Sequence, residues 1–173
     1  TDKSLMRDVL TYHLSNQMGR YASRTKYVEL VLDGDYRGVY VMMEKIKRDA
    51  NRIDIASLKA TDNSGDALTG GYILKIDKNT GTSNASWLSP HRANHNMEIN
   101  VMVEYPKKEV LTDAQYNYIK NHFTEFENVL KSTNFKDPVN GYAKYIDVNS
   151  FIDYFLLTEL NYNIDAFRLS IFF

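Results

Sequence analysis

The stretch KYVELVLDGDYRGVYVMMEKI, residues 26–46, decides the fold class. Two runs rich in Val, Leu, Tyr and Met flank Asp33-Gly34, a pair that tolerates the positive φ of a tight two-residue turn, so the segment predicts a β-hairpin. Period two groups Glu44 with Tyr40 and Met42, which puts its carboxylate at the end of the second strand beside an apolar cleft. The bland alternative is an exposed charge next to Lys45 and Lys47.

Outward from the hairpin, the signals change with position. Before it, residues 2–19 carry Leu5, Met6, Val9, Leu10, His13, Leu14 and Met18 at helical spacing, with Asp2 or Ser4 as cap and Gly19 as stop. His13 on that stripe reads as a hydrogen-bonded core histidine. After the hairpin, a polar connector (47–71) leads into the short strand GGYILKID at 70–77. Within it Lys75 shares a face with Ile73 and Asp77, and the bland alternative is a lysine on a sheet's solvent face. Residues 78–96, KNTGTSNASWLSPHRANHN, read as a long polar loop, and MEINVMVEYPK (97–107) as a strand stopped by Pro106.

The second half turns helical. Thr112 and Gln115 form a capping box ahead of a stripe of Tyr116, Ile119, Phe123, Phe126 and Leu130. A second helix, 147–160, is capped by Asp147, with Phe151, Ile152, Phe155 and Leu156 facing inward. Strands gathered early and helices late indicate an α+β chain. It reads as one domain over 1–173, with a helix and sheet-rich part to residue 110 and a mainly helical part over 111–173 that ends in a strand.

Composition removes several function classes. The net charge of −1 gives no global field for nucleic acid or anionic lipid. No apolar run approaches the ~18 residues of a membrane span. Cysteine is absent, which excludes disulfides, thiolate catalysis and Cys-ligated metals. His91 and His95 lie four apart, but Pro, Asn and Ser around them oppose a helix that would align the rings as ligands. Neither glycine pair matches a phosphate-cradling loop.

Asp165 is the most informative acid. In NYNIDAFRLSIFF (161–173) it joins an apolar helix to an apolar strand, and a carboxylate buried there needs hydrogen bonds, a cation or a metal. The bland alternative is a turn residue, as Asn161 and Asn163 suggest.

Three blocks in this order resemble the CotH kinase family, atypical protein-kinase-like proteins named for spore-coat protein H. Residues 2–49 resemble its opening helix and Glu-ending hairpin, 70–77 its glycine-led strand with a Lys, and 148–173 its helix, catalytic Asp and following strand. The resemblance implies an antiparallel sheet with an N-terminal helix followed by a helical part, C-terminally truncated here. It implies transfer of phosphate from ATP, with Mg2+, to Ser or Thr side chains of protein substrates in an extracytoplasmic or cell-surface setting. Under it Asp165 is the catalytic aspartate, Lys75 the ATP-phosphate lysine, and Glu44 its ion-pair partner or a metal-side acid. Ser170, five residues after Asp165, stands where the kinase catalytic loop has a metal-binding Asn. The family's Trp-Asp-x-Asp metal motif has no counterpart, so the 173-residue chain is expected to be inactive by itself. Two other readings stand beside this one: a non-catalytic scaffold for surface or coat assembly, and a carbohydrate-surface module resting on an exposed Trp87.

Overall fold

The computed structural model describes residues 3–78, 81, 83–167 and 169–173. Helix α1 spans Arg7–Gln17. It starts later than its apolar spacing suggests, because Leu5 adopts φ 58° and breaks the helical path. Met6, not Ser4, occupies the N-cap position and no side chain caps the helix, although Ser4 Oγ accepts the Met6 N–H at 3.2 Å; Asp2, the other cap expected from sequence, lies outside the described residues. Gly19 ends the helix at φ 78°, with its N–H on the Asn16 carbonyl. His13 is exposed, so it is not the core histidine the stripe suggested.

Strands β1 (Thr25–Leu32) and β2 (Asp35–Met43) form the expected antiparallel hairpin. Asp33 and Gly34 both have positive φ, 52° and 86°, as a turn matched to strand twist requires. A bulge between Leu30 and Val31 lies opposite Gly38.

The remaining strands form one four-stranded antiparallel sheet in the order β4-β5-β3-β6. They are β3 (Ile73–Ile76), β4 (Ser86–Arg92), β5 (Glu98–Tyr105) and β6 (Ile171–Phe172). β4 corrects the sequence expectation, since residues 86–92 fall in the stretch read as a polar loop. Cross-strand pairing outweighs composition there: Ser86 sits opposite Met102 and Trp87 opposite Val101. Trp87 is 5% exposed, which removes the exposed aromatic on which the carbohydrate-surface reading rested.

Two further helices complete this part, the short α2 (Gly65–Thr69) and the long α3 (Asp113–Lys131). α3 covers one face of the sheet. Leu74, Trp87, Val101 and Val103 pack with Ile119 and Phe123, and each such residue stabilises by about 1.5–3 kcal/mol when fully buried. The Trp87 ring meets Tyr116 and Phe123 edge-on, at centroid distances of 5.9 and 6.2 Å. The capping box forms as expected, with the Gln115 N–H on Thr112 Oγ1 at 3.3 Å. Gln115, fully buried, also donates Nε2 to the carbonyls of Lys59 and Asp62, tying the polar connector to α3.

Helix α4 (Val148–Leu160) carries the expected apolar stripe, but Phe151, Ile152, Phe155 and Leu156 are exposed, and its buried residues are Leu157 and Thr158. The chain gathers into two units. Residues 1–46 and 149–163 form the first, and residues 47–148 and 164–173 the second. Within the first, Arg20 Nε donates to Asp153 Oδ2 at 2.7 Å, joining the end of α1 to α4. Helices and antiparallel sheets together make the chain α+β.

Candidate functional site

Lys75 lies on β3, between β5 and β6. Alternation along β3 turns Leu74 and Ile76 toward α3 and leaves Ile73, Lys75 and Asp77 on the opposite face. The Lys75 side chain is 14% exposed, so its charge requires a counter-charge close by. Glu104 on β5 supplies it: Lys75 Nζ stands 3.7 Å from Glu104 Oε2, and the Glu104 side chain is 13% exposed.

Glu104 has further partners. Lys107 Nζ donates to Oε1 at 2.5 Å, and Asn84 Nδ2 donates to Oε2 at 3.0 Å. Burial alone pushes the Glu104 carboxyl up. The hydrogen bonds from Lys107 and Asn84 and the charges of Lys107 and Lys75 outweigh it and hold the group below the ordinary glutamate value. The carboxylate is therefore ionised throughout the neutral range.

The short strand β6 brings the end of the chain to Lys75. Phe172 pairs with Lys75 and Ile171 with Ile76, and Leu74 and Phe173 exchange two backbone hydrogen bonds at 3.0 Å. The Phe173 ring reaches Phe123 of α3 at 5.7 Å, which anchors the strand. This register sets Ser170 beside Asp77, and Ser170 Oγ donates to Asp77 Oδ2 at 3.4 Å. Ser170 has φ 55°, a left-handed conformation uncommon for a residue other than glycine.

Asp165 is exposed, between α4 and β6, and its backbone carbonyl accepts the Leu169 N–H at 3.0 Å. The burial assumed from its apolar flanks does not occur; its neighbour Ala166, 6% exposed, is the buried residue there. Glu44 belongs to the other unit. Its carboxylate pairs with the Arg24 guanidinium and accepts the Arg24 backbone N–H at 3.1 Å, closing the open end of the hairpin. Of the four residues singled out from sequence, β3–β6 pairing draws Lys75 and Ser170 to one edge of the sheet. Lys75 has Glu104, and Glu44 has Arg24, as carboxylate–cation partners.

Asn84, Glu104 and Lys107 escaped the sequence reading. A signal for Glu104 existed: Val101 and Val103 belong to the core face, so the single acid two residues after Met102 must share that residue's opposite face. Oxygen donors for a cation are few. Asp77 and Ser170 adjoin, but no three acidic, histidine or cysteine side chains among the described residues could hold a metal ion. The described residues thus do not make a magnesium site.

The mixed arrangement of helices and antiparallel sheets is consistent with a kinase-like fragment. The family model described as CotH kinase protein matches residues 1–173, and the chain belongs to the CotH kinase family. No curated protein and no solved structure matches it. Among the described residues, no helix is long and apolar enough to cross a membrane.

Proposed function

We propose that the protein carrying this domain transfers the γ-phosphoryl group of ATP to Ser or Thr hydroxyls of protein substrates at a coat or cell surface. One observation carries the reading: antiparallel pairing of β3 with β6 sets a low-exposure lysine in register with the segment that follows Asp165. Phosphoryl transfer asks a protein chiefly for positioning and charge compensation, and these two elements supply groups of the required kinds.

The roles divide accordingly. The Lys75 ammonium attracts the nucleotide phosphates. The Asp165 carboxylate, at the surface where a protein hydroxyl can reach it, orients that hydroxyl and accepts its proton as the new P–O bond forms and the bond to the ADP oxygen breaks.

Calorimetric titration with ATP tests the binding half. Lys75→Ala is expected to weaken affinity by about tenfold or more, the worth of one charged contact. Unchanged affinity in that variant would remove Lys75 from the site.

A further inference from the structure

Glu104 faces two cations, and they hold it unequally. Lys107 Nζ sits at hydrogen-bond distance from Oε1, 2.5 Å, while Asn84 takes Oε2 at 3.0 Å. Lys75 stands 3.7 Å from Oε2, beyond hydrogen-bond length. Two ammonium groups around one carboxylate leave one positive charge in excess. Lys107 is 53% exposed and so keeps much of its hydration, whereas Lys75 is 14% exposed. The excess charge is thus felt most strongly at Lys75, where an approaching anion meets little water.

We propose that Lys107 is a positioning residue for Lys75: by occupying Oε1 of Glu104, it leaves the Lys75 ammonium 3.7 Å from the carboxylate, without a direct hydrogen bond to it and able to turn to a phosphate group. The inference rests on the reading of Lys75 as the phosphate lysine. Without Lys107, Glu104 Oε1 loses its close donor and Lys75 moves onto the carboxylate. A nucleotide must then compete with Glu104 for the same ammonium. Lys107 acts through Glu104, so its influence vanishes when Glu104 carries no charge.

A double-mutant cycle on ATP affinity is the test, with thermal stability measured for every variant. Lys107→Met is expected to weaken ATP binding by about 3- to 10-fold, within the range of coupling between groups that share a partner. Lys107→Arg is expected to restore affinity. In a Glu104→Gln background, Lys107→Met is expected to change affinity by less than about twofold. In the ligand-free protein, the Lys75 side-chain ammonium signal in NMR should shift on Lys107→Met but not on Lys107→Arg, which a merely structural role for Lys107 would not produce. Equal losses from Lys107→Met in both backgrounds would mark a long-range charge effect and overturn the proposal, as would no loss in the Glu104-containing protein. If Lys75→Ala leaves ATP affinity intact, the phosphate-lysine reading itself fails. If Lys75→Ala weakens binding while the cycle is additive, only the role of Lys107 falls.

Discussion

Two half-buried glutamates in the second unit titrate in opposite directions. Glu104 is held below the ordinary value of 4.5, so as pH falls the unfolded chain takes up its proton first. Its contribution to stability is full above that value and is lost as pH drops through the folded-state value. Glu127 on α3 behaves oppositely: burial pushes it up, against the hydrogen bond from Ser89 at 2.6 Å and the nearby charge of His91. Its Oε2 is buried with no hydrogen-bond partner. The folded state therefore resists its ionisation, and that cost sets in as pH rises through the folded-state value. Thermal melts should show Glu104→Gln lowering stability at pH 7 and flattening the acid limb, while Glu127→Gln raises stability at pH 7. A loss in both variants would contradict the assigned environments. In the sequence Glu104 is marked only by its place in the alternation of β5 and Glu127 not at all, because the partners of each lie 3 to 38 residues away in the chain.

At the scale of elements, the hairpin, β3, β5 and α3 could be read directly, each from a local rule. Asp33-Gly34 dictates a turn, alternation dictates a strand, and Thr112 with Gln115 dictates a helix start. β4 could not be so read, since Asn, Ser and Pro dominate residues 78–96 and its strand character comes from pairing with β5. Trp87→Ala should accordingly cost about 3–5 kcal/mol by denaturant titration, as for a buried aromatic; a loss under 1 kcal/mol would contradict its place in the core. Thr112→Ala should cost about 1 kcal/mol through the lost cap. Gly71→Ala should cost more, since φ is 84° and a Cβ would lie 2.3 Å from the Ala56 carbonyl oxygen.

At the scale of the whole molecule, the two units differ in how well they are buried. The core lies almost entirely in the second, around β3, β5 and α3. Most residues of β1 and β2 are exposed on both faces of their two-stranded sheet, and so is the apolar stripe of α4. Periodicity told that the α4 stripe is apolar; it could not tell what, if anything, covers it. Amide exchange should follow burial, with β3 and β5 protected at least about tenfold longer than β1 and β2. Equal protection would contradict this division. The family was legible from three ordered blocks, whereas the partners of Lys75 emerged only when β3, β5 and β6 were aligned.

In the proposed reaction Asp165 serves phosphoryl transfer on a nucleotide held by Lys75. This role is tested most directly by labelled γ-phosphate transfer from ATP to a Ser/Thr protein substrate, comparing the protein that carries this domain with its Asp165→Asn variant. Transfer is expected to fall by about 100- to 10,000-fold, the range for losing a general base, while ATP affinity stays unchanged. Undiminished transfer by Asp165→Asn would contradict the account.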